Sequence, residues 1–212
     1  MFSIQTLFSD PLRFVVGFLA LAVSIGIHEF AHVLAADLQG DSTGRSLGRL
    51  TLNPLRHLDP LGTIAILIAG IGWGKPAPFN PYNLRFRRWG PALVAVAGPI
   101  ANIVMLILAG YALVILQASL GNDNLLRLFL HTLVILNAAL AVFNLIPVHP
   151  LDGSHLLRAL LTPVNPLVQW VEQYGVYLLL GILFFGGAIL NLYIVTGIRW
   201  LLTAVGLSGL FL

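Results

Sequence analysis

The chain contains no cysteine, which excludes disulfides, thiolate metal ligands and cysteine nucleophiles together. Charge is also scarce. Asp, Glu, Lys and Arg make up 9% of the 212 residues, against about 25% in soluble domains. A chain this poor in charge cannot cover itself with polar surface, so lipid must be its solvent over much of its length. It also lacks a polar stretch long enough for a second globular domain, the longest at 40–60 and 74–90 being short and interrupted. Neither an internal repeat nor a low-complexity tract is present. No Lys or Arg precedes Arg13, so the N-terminus does not open like a secretory signal peptide, and the first apolar stretch is expected to be retained.

What is abundant is apolar sequence, 58% of residues, with a mean hydropathy of +0.92. Stretches over roughly 12–38, 91–116, 125–148 and 174–195 are long enough to span, since about 20 residues cross the hydrocarbon core. The tail at 198–212 is apolar but short. Between the first two spans the composition shifts to Gly, Pro, Asn and Arg, with turn signals at Asn53-Pro54, Asp59-Pro60 and Asn80-Pro81. Inside that region 61–73 is apolar but too short to cross, and fits a re-entrant segment or a strand-like element packed on the bundle. The expected fold is an all-α polytopic membrane protein, a bundle of about 4–6 transmembrane helices with a short re-entrant or β-strand element between the first two core spans. Residues 1–212 form one membrane-embedded domain in this reading, with a core at about 12–160 and extra C-terminal helices at about 174–212.

Orientation follows from the basic residues. Arg45, Arg49, Arg56, Lys75, Arg85, Arg87 and Arg88 all lie between the first and second spans, which the positive-inside rule puts in the cytoplasm. The chain just after Val148 then emerges on the same side as the second half of the first span. Arg85, Arg87 and Arg88 are expected to touch anionic lipid. The net charge of +3 therefore implies no nucleic-acid partner. Trp73, Trp89, Trp170 and Trp200 fall near span ends, as interfacial anchors do.

Ionisable residues inside a membrane helix are costly and mark function. The first span carries His28-Glu29-Phe30-Ala31-His32, an HExxH pattern. Histidines four apart share a helix face and can reach one metal. Glu29 is offset around the helix and can touch a water held there, the arrangement of a zinc hydrolase. Catalytic zinc takes three protein ligands as a rule, and Asp152 is the best-placed third. It follows the third span on the side of His28 and His32, and Pro147 and Pro150 break the helix so that the chain can fold back. The competing reading of Asp152 is a helix N-cap for the segment starting near Ser154. Gly98-Pro99-Ile100-Ala101-Asn102 is read as close packing beside the site, His57 and Asp59 as a hydrogen-bonded turn, and His131 as a bond to a neighbouring helix. Asp37 is expected to end the first span, and nothing distinguishes His155 from a loop histidine.

Taken in order, HEFAH at 28–32, LNPLRHLDPLGT at 52–63, GWGKPAPFNPYN at 72–83, AGPIAN at 97–102 and NLIPVHPLDG at 144–153 resemble the site-2 proteases, which are intramembrane zinc metalloproteases. The likeness covers about 12–160 and is to the compact branch without PDZ or CBS domains. It implies one zinc per chain held by His28, His32 and Asp152, with Glu29 as general base and acid. Asn144 matches the asparagine of the family's NxxPxxxLDG motif, associated with substrate or oxyanion contact. His149 departs from the pattern, where many members carry proline or another apolar residue, and its place three residues from Asp152 leaves a competing or supporting role at the metal open. Ser154 replaces a second glycine. The implied activity is endopeptidase cleavage in or near transmembrane segments, in a prokaryotic plasma membrane with the site toward the cytoplasm. Its partners are then a membrane-protein substrate and the bilayer. The segment 60–83 would hold the unwound substrate by β-addition. A transporter with a metal-binding pathway is the alternative, but acids are scarce in the other spans and no paired repeat supports it. A catalytically silent relative would not require Glu29.

Overall fold

The structure is a computed structural model and describes residues 4–69 and 72–210. Helix α1 (Ile4–Ser9) leads into the long α2 (Pro11–Leu38) and the short α3 (Thr43–Ser46). Then come α4 (Pro60–Ala69), α5 (Gly90–Leu116), α6 (Leu125–Asn144), α7 (Gly153–Leu161), α8 (Pro166–Phe185) and α9 (Gly187–Ala204). Of these α2, α5, α6, α8 and α9 are long and apolar enough to cross a membrane. The chain is an all-α polytopic membrane protein.

Local sequence sets the helix ends. Asp10 accepts a hydrogen bond from the Arg13 N–H at 3.0 Å, and Pro11 takes the first position of α2, both standard starts. The same pairing of an Asn cap with a following Pro opens α8 at Asn165 and Pro166. At 1.5 Å per residue α2 is about 42 Å long, so it projects beyond a hydrocarbon layer of about 30 Å. It ends where Gly40 turns left-handed, at φ 101°.

Helices α2, α5 and α6 pack on one another as the centre of the bundle, with α9 against α6 and α7 against α5. Their shared core holds Ala20, Leu106, Ala109, Leu133, Val134 and Ala138, closed by Ile198 and Leu202 of α9. In lipid no hydrophobic force joins helices, so the alanines matter by letting backbones approach for dispersion contact. Helices α8 and α9 are mostly exposed along their lengths, as lipid-facing helices are.

Three expectations need correction. The apolar run at 61–73, whose residues 70–71 lie outside the described set, is helical in Pro60–Ala69 and not strand-like. Asp59 accepts from the Gly62 N–H at 2.8 Å and Pro60 follows it, so the local start signal outweighs the β-branched residues. Among the described residues the only pairing of strand type is an isolated bridge between Leu58 and Gly74. The span expected at 174–195 is instead two helices that break at Gly186. The run Phe184-Phe185-Gly186-Gly187 keeps hydropathy high across the break, and only the glycine pair signals it. The tail expected at 198–212 belongs mainly to α9, with residues 211–212 outside the described set. Third, Arg88 does more than face lipid. Its Nε donates to the Ala159 carbonyl at 3.1 Å and Nη2 to Leu160 at 3.5 Å, at the C-terminus of α7, where a cation suits the helix dipole.

The long connection between α2 and α5 is ordered around Asp41, which is 1% exposed. Its carboxylate accepts from the Thr43 hydroxyl at 2.6 Å, the Asn80 N–H at 2.7 Å and Asn83 Nδ2 at 3.0 Å. Burial alone would raise this carboxyl, but the donors outweigh it and hold it below the usual range. A depressed acid stabilises the fold above its unfolded value, about 3.9, and that stabilisation is lost as pH falls through the lower folded value. Acidifying below about pH 4 should therefore loosen 72–83 before the spans melt, seen as limited proteolysis there. Asp41→Asn should show the same cleavage at neutral pH. Equal resistance of variant and wild type would remove Asp41 as the organising group.

Candidate metal centre

The two histidines of α2 sit one turn apart on the face turned to α5 and α6, and both are buried. His32 donates from Nδ1 to the Val94 carbonyl of α5 at 2.7 Å, and a carbonyl can only accept. In the neutral ring Nε2 then carries the lone pair. His28 places Nδ1 2.6 Å from Asn102 Oδ1. The two Nε2 atoms stand 3.0 Å apart. A side chain on α5 would fill the space these rings occupy. A Cβ at Gly98 would lie 2.5 Å from His32 Cε1 and 2.6 Å from His28 Cε1, well inside the ordinary carbon contact of about 3.5–4.0 Å.

Asp152 reaches the histidines from the chain beyond α6. Helix α6 stops at Asn144, and the chain reverses through Pro147, Pro150 and the cis His149–Pro150 bond. The return is tight. A Cβ at Gly153 would stand 2.5 Å from the Ile146 carbonyl oxygen and would also strike that of Leu145. Only glycine allows this approach. Asp152 then occupies the N-cap position of α7 without making a cap bond. Its carboxylate points at the histidines instead, Oδ2 at 3.2 Å from His28 Nε2 and Oδ1 at 3.5 Å from His32 Nε2.

The donor set suits zinc. Ligands held about 2.0–2.1 Å from one tetrahedral ion stand about 3.3 Å apart; here the two Nε2 atoms are 3.0 Å apart, each has a different Asp152 oxygen at 3.2 or 3.5 Å, and one atom from each residue falls within 4.8 Å of the others. Asp152 Oδ2 is buried without a hydrogen-bond partner, as is Glu29 Oε2. Two imidazoles and an acid, all neutral or anionic and crowded in a buried place, call for a cation. Among the described residues His28, His32 and Asp152 are the group of three that fits. His149 stands outside it, and its backbone packs on Gly175 of α8.

A cavity of about 390 Å³ opens over these atoms. Glu29 lies in its wall with Asn144, whose Nδ2 donates to the Leu140 carbonyl at 3.0 Å. Another wall is the non-helical segment 72–79. That segment is held by the Lys75 N–H on the His57 carbonyl at 2.7 Å and by Arg49 Nη2 on the Lys75 carbonyl at 2.6 Å. Gly74 passes so near Glu29 that a Cβ there would be 3.6 Å from Oε1. His57 is buried and bonds the Thr51 carbonyl, and Asp59 starts α4, so both serve the loop as expected. His131 meets the Leu210 carbonyl at 3.3 Å, and Asp37 at the end of α2 pairs with Arg45.

Two contributions were not read from the sequence. His155 lines the cavity, its ring 6.3 Å from that of Phe79. Burial lowers its pKa and favours the neutral imidazole. The signal was its place three residues after Asp152 at a helix start, which puts both on one face. The other is Asn137, fully buried in α6 beside Asn102. An uncharged amide alone in an apolar span is itself a marker of bonding between helices.

A bundle of spanning helices with a buried His-His-acid cluster beside a glutamate has the make-up of a membrane metalloprotease. Comparison with known proteins agrees. The model of peptidase family M50 matches residues 115–186. "Putative zinc metalloprotease YwhC" of Bacillus subtilis is 39% identical over 163 residues, covering 74% of each chain. "Putative zinc metalloprotease Rip2" of Mycolicibacterium smegmatis is 29% identical over 159 residues, 70% of this chain and 60% of that one. Its namesake from Mycobacterium tuberculosis H37Rv is 30% identical over 193 residues, 88% and 72% of the two chains. No solved structure matches significantly. The chain belongs to peptidase family M50, the site-2 protease family of zinc-dependent membrane proteases.

Proposed function

We propose that this protein is an intramembrane endopeptidase that hydrolyses peptide bonds in or near transmembrane segments. The observation that carries this reading is the convergence of His28, His32 and Asp152 within 4.8 Å of one another, in a cavity that also receives Glu29. His28, His32 and Asp152 would hold one zinc ion, which supplies an acidified water and a polarising charge for the scissile carbonyl. Glu29 accepts the proton from the attacking water as its oxygen bonds to the carbonyl carbon. It then delivers that proton to the leaving nitrogen as the C–N bond breaks. The buried, unpartnered Glu29 Oε2 is free to hold it in between. One amide hydrogen of Asn144 is bound to Leu140, which leaves the second to stabilise the negative charge growing on the carbonyl oxygen.

A helical substrate hides its carbonyls in its own hydrogen bonds, so it must unwind before it can be cut. The wall at 72–79 is the place to receive it. Pro76 and Pro78 offer no N–H, so pairing there falls to the edge that Ala77 and Phe79 present, both of which line the cavity. The whole site lies at the end of the bundle that carries the loop with Arg45, Arg49, Arg56, Lys75, Arg85, Arg87 and Arg88. By the positive-inside rule that end faces the cytoplasm.

The test is metal content of the detergent-purified protein beside His28→Ala and Asp152→Ala, with cleavage of a transmembrane peptide followed by mass spectrometry. The expected result is about one zinc per folded wild-type chain, little in either variant, and product from wild type alone. Zinc retained in folded Asp152→Ala would remove Asp152 from the ligand set. Zinc-loaded wild type that cuts no transmembrane peptide would remove the endopeptidase reading.

A further inference from the structure

Behind His28, on the side away from the cavity, three helices meet in a sealed polar cluster. Ser24 of α2, Asn102 of α5 and Asn137 of α6 are each 0% exposed. The direction of every bond in it can be worked out from groups that have no choice. The carbonyl oxygens of Ala20, Leu133 and Ser24 only accept. Ser24 Oγ must therefore donate to Ala20, at 2.7 Å. The nitrogen of Asn137 must face Leu133, at 2.8 Å, and its other hydrogen goes to Ser24 Oγ, at 2.8 Å. That turns Asn137 Oδ1 toward Asn102, which meets it with Nδ2 at 2.7 Å. The second hydrogen of Nδ2 goes to the Ser24 carbonyl, at 3.2 Å. Both hydrogens of Asn102 are then committed, and the atom left to face His28 Nδ1 at 2.6 Å is Oδ1, an acceptor.

We propose that Asn102, oriented by Asn137 and Ser24, is a positioning residue that locks His28 in the tautomer with its hydrogen on Nδ1 and its lone pair on Nε2. The opposite tautomer would set an imidazole lone pair against an amide oxygen lone pair at 2.6 Å. Reversing Asn102 to relieve this would break its bonds to both Asn137 and Ser24, and no water reaches the cluster to replace them. His32 achieves the same end through one backbone carbonyl. His28 instead meets a side chain, held in place by two others. Partners behind a ligating histidine set which nitrogen meets the metal and raise its basicity. The cluster also ties the ligand helix to both its neighbours, so the tautomer and the helix packing are fixed together.

This inference rests on His28 being a metal ligand. The first measurement is on full-length wild-type protein in lipid nanodiscs, carrying 15N-labelled histidine and stripped of metal by a chelator. His28 is assigned by the signals absent from His28→Gln. Nitrogen shifts that place a hydrogen on Nδ1 are expected, and a neutral ring with its hydrogen on Nε2 and none on Nδ1 overturns the proposal whatever any variant does. The second is zinc affinity by competition with a chromophoric chelator. Asn102→Leu, which removes the acceptor, should weaken zinc binding about 10- to 100-fold and release the His28 tautomer. Asn102→Asp, which keeps an acceptor toward Nδ1 while disturbing the rest of the cluster, should stay close to wild type. Equal losses in the two, or none in Asn102→Leu, would make the amide a packing group only. Zinc bound equally well by wild type and His28→Ala would overturn the ligand assignment beneath it, a separate failure.

Discussion

Replacing Glu29 by Gln should leave zinc content and thermal stability at wild-type values and lower kcat/KM by about 100- to 10,000-fold, the range that a positioned proton-transfer group contributes. The two side chains are nearly the same size, so the cavity wall and the approach of Gly74 are undisturbed. The amide cannot take a proton from water, and it has none to hand to the leaving nitrogen. In free energy the loss is about 3–5 kcal/mol of transition-state stabilisation, at 1.36 kcal/mol per factor of ten. The change should fall mainly on kcat, because the proton moves only in the reaction. Measurement requires a transmembrane peptide whose product is counted under single-turnover conditions, with zinc determined in the same sample. Cleavage retained within a few-fold of wild type would remove Glu29 from the mechanism and bring His155, on the same cavity wall, forward as the proton carrier.

The second large effect is expected from a residue with no chemistry of its own. Gly98→Ala adds one methyl group, at a position 2.5–2.6 Å from ring atoms of both His28 and His32. Either the rings swing aside or α5 retreats from α2 by roughly 1 Å, the shortfall from van der Waals contact. Both responses spoil a site whose three ligand atoms must meet within a few tenths of an ångström. Zinc affinity should fall at least about 100-fold and proteolysis with it. The matched control is Gly181→Ala in α8, where a Cβ meets nothing within 4 Å. That variant should match wild type, or gain slightly in helix propensity. Zinc binding by Gly98→Ala equal to the control would mean that the rings have more freedom than their packing suggests.

The sequence revealed the chemistry of the candidate site more readily than its support, for a physical reason. An HExxH pair lies within one helical turn, so a single period places both imidazoles on one face. The turn formed by Pro147 and Pro150 announces itself, and with the basic loop it put Asp152 on the side of His28 and His32, where the structure places it. The role of Gly98 depends on what stands across from it on another helix, and a small residue looks alike whether it faces lipid, a helix or a histidine. The cluster of Ser24, Asn102 and Asn137 likewise joins residues 113 apart in sequence, which no local pattern couples. The fold divides in the same manner. The spans α2, α5 and α6 stand out by length and apolarity. The break at Gly186 is hidden because hydropathy averages over the one residue that matters. The helix at Pro60–Ala69 was open between two readings because a short apolar run fits either period.

The tight turn at Gly153 has a consequence for the order of events at the ribosome. Among the described spans the HExxH helix leaves the exit tunnel before the others, and Asp152 is translated 120 residues after His32. At about 5–20 residues per second that is an interval of roughly 6–24 s. Through it α2 can already lie in the bilayer with Glu29 in place, but with only two of the three proposed zinc ligands. Asn102 and Asn137 also arrive late, each on a later helix. On the proposed mechanism a nascent chain would thus be unable to cut the membrane proteins inserted beside it until α6 has crossed and the chain has doubled back. On that reading the last ligand would act as a safety catch that synthesis itself releases.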